Sequence, residues 1–418
     1  FMGWENFKKN SGNNFTSFAA LMKILMLLPG EFPPDIRVEN EAMALAKAGH
    51  EISIACLTRK ELPSDEFFKG KVIIKRFKIP ALRYKSSIAT LTLPFYFNFW
   101  RNELNKLLLK NKYDAIHVHD LPLAQIGFEV SKKLNAKFVL DLHENWPGLL
   151  KISEHTQSFV GKIFSHDQQW RNYEKRMCNL ADKVIVVVEE AQKRLENLGI
   201  EHNKITVVSN TLNIESFDKL PKYKVNTSNT NNFNIFYGGG INKHRGIQIV
   251  IRGIALLNDH FSDFNFDIVG DGKYLEKLIK LSVTLNISSR IKFYGYLPFG
   301  EMLAILQNAN VAVIPHLKSE HTDTTIPHKI FQYIYAGIPI LSSDCNPLRR
   351  IIEETHSGII YKNDSPTDFA ENLIELKNLI SLGKFNPEYG RTFIVNKYNW
   401  DKDAQKLIQL YSEFDQTK

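Results

Sequence analysis

The chain has 418 residues, of which 44% are hydrophobic and 23% charged, with a formal net charge of +8. That length is too great for one compact core and predicts two domains of about 200 residues each. The three cysteines (Cys56, Cys178, Cys345) are odd in number and far apart, which argues against a disulfide framework or cysteine metal site and fits a reducing compartment; no apolar run is long enough to span a bilayer.

Residues 1–20 are polar and asparagine-rich and read as a loose N-terminal extension. Phe18–Leu28 resembles a signal-peptide core, but Lys23 interrupts it and no small-residue cleavage site follows. Lys23–Leu28 is therefore read as the first buried strand, and a cytoplasmic location is expected. In the loop that follows, Gly30 permits close backbone approach, Asp35 can cap the next helix, and Arg37 points from its first turn, available for a carboxylate or phosphate. The same residues also fit a proline-stiffened turn with a structural cap.

Between Lys69 and Lys112 there are eleven Lys or Arg and one acid, Glu103, interleaved with the apolar run Leu91–Trp100. Basic charge beside aromatics suits an anionic membrane surface. A core helix with a solvated basic face fits the second half, where Trp100, Leu104, Leu107 and Leu108 fall at helical spacing. No nucleic-acid motif is present, so nucleic acid is not expected as a partner.

Strands are predicted at Lys23–Leu28, Glu51–Leu57, Val72–Phe77, Ala115–Val118, Phe138–Asp141, Val184–Val188 and Thr206–Ser209, with helical patterns between them. Such alternation predicts a parallel sheet. Two histidines follow strand ends, His119-Asp120 and His143-Glu144, where an imidazole can meet a substrate or carry a proton. A lone loop histidine is more often structural; two at neighbouring strand ends favour a shared cleft.

A polar stretch, residues 213–232, has the composition of a linker. The strand rhythm then restarts at Asn234–Tyr237, Phe266–Val269, Ile291–Tyr294, Val311–Ile314, Ile338–Leu341 and Ile359–Tyr361. The fold class expected is α/β, with two doubly wound Rossmann-like domains facing a central cleft. The divisions are 21–212, a linker at 213–232, and 233–392, with a last helix at 393–418. Ligands in such sheets bind beyond the carboxyl ends of the strands. Gly238-Gly239-Gly240 leads to Lys243 and Arg245, which offer positive charge for a diphosphate. Val269-Gly270-Asp271-Gly272 and Phe293-Tyr294-Gly295-Tyr296-Leu297 are further strand-end turns. The last is His321–Thr325, which enters an apolar helix stopped by Gly337. Thr324, Thr325 and Lys329 stand at its mouth, where unpaired N–H groups and the helix dipole favour an anion. An ordinary buried loop–helix–strand unit would look the same, but four such turns in one domain point to a nucleotide-diphosphate site.

From about Lys23 to Phe414 the chain resembles glycosyltransferase family 4, of the GT-B fold. The motifs are Asp35–Ala42 with Ala48-Gly49-His50, Asp141-Leu142-His143-Glu144, Ala181–Val186, Val207–Asn210, Tyr237–Gly246, Val269–Gly272, Phe293–Gly295 and Tyr398-Asn399-Trp400. The resemblance implies transfer of a sugar from a UDP- or GDP-sugar, with retained anomeric configuration and no required metal or other cofactor. The acceptor would be a saccharide or lipid-linked saccharide in surface polysaccharide or glycolipid assembly. It places Gln332 at the ribose, Tyr296 and Leu297 near the base, and Thr324, Thr325 and Ile326 at the diphosphate or donor sugar. Arg245 and Lys329 would neutralise the leaving group, and His143 would lie near the reacting sugar. Gly30, Gly239, Gly240, Lys243 and Gly270 would complete the donor side, and Glu31, Arg37, His119, Asp120 and Glu144 the acceptor side.

Four positions depart from the family pattern. Thr324 and Gln332 stand where two glutamates are usual, and Asp323 is the neighbouring carboxylate that could substitute. Arg245 stands where a lysine is usual, while the usual arginine falls at Gly240. A catalytically weak or inactive nucleotide-binding protein, or an accessory subunit of a glycosyltransferase, is the alternative reading.

Overall fold

In a computed structural model, the structure describes residues 21–153, 167–220, 232–257 and 264–414. The extension expected at residues 1–20 lies outside them. The first sheet has eight strands: β1 (Lys23–Leu28), β2 (Glu51–Thr58), β3 (Asp65–Phe68), β4 (Val72–Lys78), β5 (Ala115–His119), β6 (Lys137–Leu142), β7 (Lys183–Val186) and β8 (Ile205–Val207). Their order is β3-β4-β2-β1-β5-β6-β7-β8. All pairs are parallel except β3 with β4. The second sheet has six: β9 (Phe233–Gly238), β10 (Phe264–Val269), β11 (Ile291–Gly295), β12 (Val311–Ile314), β13 (Ile340–Ser343) and β14 (Gly358–Tyr361). It is wholly parallel, in the order β11-β10-β9-β12-β13-β14.

The reason is visible in the side chains. Ile24 to Leu28 are all buried, as are Val311 to Ile314, so these strands must be covered on both faces. Helices between parallel strands supply that cover. The helix Ile36–Lys47 starts where Asp35 accepts a hydrogen bond from the Val38 N–H at 3.1 Å, the cap its sequence called for.

Three outcomes differ from the sequence reading. Most of the aromatic run at Leu91–Trp100 turns inward: the helix Phe95–Leu108 buries Tyr96, Phe97, Phe99 and Trp100 and leaves Phe95 exposed. The stretch read as a linker begins with a short helix, Ile214–Asp218, whose Phe217 packs edge-on to Phe299 and Tyr335; residues 221–231 lie outside the described residues. The C-terminal segment is two helices, Pro387–Asn396 and Trp400–Ser412, parted where Asn399 caps the second.

The last helix packs on the first domain. Trp400, Leu407, Leu410 and Tyr411 join the core made by Ile24, Met26, Val38 and Leu45. The Trp400 N–H donates to the Leu212 carbonyl at 2.9 Å, and Thr211 Oγ1 donates to buried Asp403 at 2.6 Å. No described helix is long and apolar enough to cross a membrane.

Candidate functional site

Where the two sheets face each other, a cavity of about 400 Å³ is lined from both sides. Its second-domain wall starts at the end of β9. Gly239 has φ +139° and Gly270 has φ +139°, conformations that favour glycine. A Cβ on Gly270 would sit 1.9 Å from the Gly239 carbonyl oxygen, and one on Gly239 would sit 2.8 Å from Lys329 Nζ. The glycines thus let two strand-end turns and a lysine close on one another.

Lys329 begins the helix Lys329–Tyr335, which ends at Gly337 with φ +76°. Its Nζ lies 4.2 Å from the centroid of the Tyr237 ring. Burial, joined by the charge of Arg245, holds this amine well below the usual lysine range. Arg245 donates from Nη1 to His316 Nε2 at 3.1 Å. Burial and Arg245 together hold His316 well below its ordinary value and His321 down to about 3, so both rings are neutral at pH 7. The wall is therefore a glycine floor with the Arg245 guanidinium and a buried amine whose proton affinity is lowered. That arrangement suits an anion that brings its own negative charge.

The first-domain wall follows β6. His143 Nε2 is 2.7 Å from Asp141 Oδ2, His143 Nδ1 is 3.7 Å from Asp120, and Asp120 accepts the His143 N–H at 3.2 Å. Burial opposes the imidazolium, but Asp141 and Asp120 outweigh it and raise His143 to about 10. Glu144, beside it, is pushed up to about 7 by burial and then by Asp120. Its carboxylate reaches across the domain gap to His321 Nε2 at 3.2 Å.

Beneath His143 lies a fully buried polar network. Arg37 donates to both Asp141 oxygens at 3.2 and 2.7 Å, to the Val208 carbonyl at 2.9 Å and to Asn210 Oδ1 at 3.1 Å. His119 Nδ1 is 3.3 Å from Asp141, and His117 Nδ1 meets Tyr411 OH at 2.9 Å. Glu41, His117, His119 and Asp141 bring ligand-type atoms within 4.8 Å of one another. As it stands this set does not suit a divalent cation. The Arg37 guanidinium lies 2.9 Å from Glu41 and 2.7 Å from Asp141, so a fixed cation already balances both carboxylates.

Polar contacts join the two walls. Asn145 Nδ2 donates to the Glu320 carbonyl at 3.0 Å and to Thr324 Oγ1 at 3.1 Å, and Asn210 Nδ2 donates to the Ile326 carbonyl at 3.2 Å.

Of the residues the sequence singled out, the cavity brings together Arg37, His143, Glu144, Gly239, Gly240, Arg245, Thr325, Ile326, Lys329 and Gln332. Gly30, Glu31, His119, Asp120, Lys243, Gly270, Tyr296, Leu297, Asp323 and Thr324 do not line it. Arg37 is not the available cation that its position implied, because every nitrogen is committed inside the protein. Glu31 pairs with Lys60 at 2.8 Å, Asp323 accepts the Asn346 N–H at 2.9 Å, and Tyr296 is 80% exposed. His119 and Asp120 act one layer behind, on Asp141 and His143. Asp35, read only as a helix cap, and His321, the first residue of the loop His321–Thr325, also line the cavity, while Asn210, His316 and His328 line it without having been given a role. Of these, His328 lies three residues beyond that loop, and that adjacency was the available signal.

Comparisons with known proteins bear on both halves. The model of the family described as Glycosyltransferase Family 4 matches residues 36–216, and that of Glycosyl transferases group 1 matches residues 218–384. An uncharacterised glycosyltransferase of Methanocaldococcus jannaschii is 25% identical over 94% of this chain and 99% of its own length. Sucrose-phosphate synthase from Thermosynechococcus elongatus superposes with TM-score 0.75 at 17% identity, covering 95% of this chain and 100% of that one. Anabaena HepE in complex with UDP superposes with TM-score 0.68 at 14% identity, covering 94% and 100%.

Proposed function

From the premise that this chain belongs to the group 1, family 4 glycosyltransferases, with the GT-B fold, we propose that it is a retaining, metal-independent enzyme. It moves a sugar from a UDP- or GDP-sugar to a saccharide or lipid-linked saccharide acceptor. The observation that carries this reading is the meeting, in one cavity, of a glycine floor with Arg245 and Lys329 from one domain and of His143 with Glu144 from the other.

In this reading the diphosphate lies on the peptide groups of Gly239 and Gly240, between Arg245 and the Lys329 amine. Gln332 meets the ribose hydroxyls, and Thr325 and Ile326 offer backbone N–H groups to the phosphate or sugar. The bond between the anomeric carbon and the phosphate oxygen breaks as the bond to the acceptor oxygen forms. The acceptor proton passes to the departing phosphate oxygen. Arg245 and the lysine stabilise the charge that develops there, the role a metal ion plays elsewhere. His143, held as a cation by Asp141 and Asp120, hydrogen-bonds the sugar beside the reacting carbon. Lys and Arg of residues 69–112, with exposed Leu82, Phe95 and Leu109, provide peripheral contact with an anionic membrane at its cytoplasmic face. The setting is assembly of surface polysaccharide or glycolipid.

The test is turnover of a panel of UDP- and GDP-sugars with and without a chelator, with product anomers read by NMR. Chelator-insensitive transfer with retained configuration is expected. UDP binding without turnover of any donor would favour the nucleotide-binding, catalytically inactive alternative.

A further inference from the structure

A second cavity, of about 510 Å³, lies wholly within the first domain. The apolar run Leu91–Phe97 forms one wall, with Arg101 behind it, and the helix Asp167–Leu180 forms the opposite wall through Gln169, Asn172, Tyr173 and Arg176. The segment that the sequence presented as basic and aromatic therefore forms a wall of a concavity in the fold.

The chemistry of this cavity is specific. Among the described residues no Asp or Glu lines it, while two guanidinium groups do. Arg101 is held by Glu129, with its Nε 2.7 Å from Oε2. Arg176 is exposed and takes no part in the ion pairs that Arg171 and Glu174 make on either side of it. Beside it in the lining is Tyr173, whose hydroxyl accepts the Gln125 N–H at 2.8 Å. Thr90 also lines the cavity. It is 3% exposed, and among the described residues its hydroxyl has no hydrogen-bond partner. A pocket with an exposed guanidinium, side-chain amides, a buried hydroxyl unpaired among the described residues and an apolar wall suits a sugar bearing a carboxylate or phosphate: the wall takes the C–H face and the polar groups take the hydroxyls.

Its position ties it to the cleft. Glu144 lines the cleft, and two residues on Trp146 packs on Trp170 at 5.9 Å between ring centroids. Trp170 meets Tyr173 edge-on at 5.7 Å, and Tyr173 lines the second cavity. The same helix touches the second domain at its start, where Arg171 pairs with Glu320. A chain of packed aromatic rings, with Trp170 buried at its centre, thus links the loop of Glu144 to the wall of the second cavity.

We propose that this cavity is a subsite for an acidic sugar unit of the acceptor, held through Arg176 at a distance from the reacting end. The proposal rests on the glycosyltransferase reading above for its role, though not for the binding itself.

Saturation-transfer NMR with tri-galacturonate as the acidic probe, maltotriose as the neutral one and UDP as the cleft probe tests it. Tri-galacturonate is expected to bind, to weaken with salt, and to remain bound when UDP is added. Arg176→Glu is expected to weaken tri-galacturonate about tenfold, as loss and reversal of one charged contact should. UDP affinity is expected to stay unchanged in that variant, and because Arg176 is exposed the fold should tolerate the substitution. Equal signals from the acidic and neutral trisaccharides, displacement of tri-galacturonate by UDP, or unaltered binding in Arg176→Glu would each overturn the proposal. Failure of UDP to bind would strike the cleft reading alone, since the subsite is decided on tri-galacturonate.

Discussion

Lys329 is an amine whose surroundings weaken its hold on a proton. Burial and Arg245 lower its proton affinity, and a diphosphate beside it would restore that affinity. Binding of UDP should therefore be linked to proton uptake by this amine, measurable by calorimetry across pH in buffers of different ionisation enthalpy. Lys329→Met should abolish the uptake and weaken UDP about tenfold; equal heats in all buffers would contradict this. His143 runs the other way. Its folded-state value is raised to about 10 from an ordinary value of about 6.5. The stability it adds is fully present below about pH 6.5 and is lost as pH rises through its folded value. Wild type should exceed His143→Gln in Tm by a margin that shrinks between about pH 6.5 and 10, and a constant margin would show that Asp141 and Asp120 do not hold a proton there. At this scale the sequence showed which residues stand at strand ends, and so exposed Lys329, Arg245 and His143. It did not show that Arg37 faces inward, because its main partner, Asp141, lies 104 residues away and no local pattern encodes that pairing.

Among the elements, the strands were legible because burial on both faces imposes continuous apolar runs, as at Ile24–Leu28 and Val311–Ile314. β3 was not: Asp65-Glu66-Phe67-Phe68 is an exposed antiparallel edge, and an edge needs little apolar pattern. The aromatic run was misleading in part because amphipathic spacing says that a helix has two faces and not which neighbour covers one of them. The turns offer a sharper test. Gly270→Ala places a Cβ 1.9 Å from a backbone oxygen at φ +139°, and it should lower stability by about 2–4 kcal/mol in urea and weaken UDP binding. Gly295→Ala has φ +71° but meets nothing within 4 Å, and should cost only about 1 kcal/mol. Equal costs would mean that contact between the two glycine turns does not shape the floor.

Across the whole molecule, the domains meet through polar pairs as well as apolar contact. Glu320 of the second domain pairs with Lys151 and Arg171 of the first, and Arg350 pairs with Glu189 and Glu190. Pairs this exposed are individually weak and are screened by salt. The cleft should accordingly open by degrees as salt rises. Glu320→Lys, which sets three positive charges against one another, should enlarge the radius of gyration measured by small-angle X-ray scattering at low salt, with the difference from wild type fading at high salt. An unchanged radius would assign closure to the apolar contacts of Phe217 with Phe299 and Tyr335 instead.

The helix Trp400–Ser412 has a bearing on how the chain is made. It completes the core around Ile24 and Val38, and its Tyr411 reaches the buried His117. Strands of the first domain therefore wait for a segment translated after the second domain before their core is closed. The first domain must persist half-finished, with an apolar face uncovered, while the whole second domain is synthesised. A stop codon before Asn399 would remove none of the cleft-lining residues, yet it would leave the first domain without the helix that closes its core.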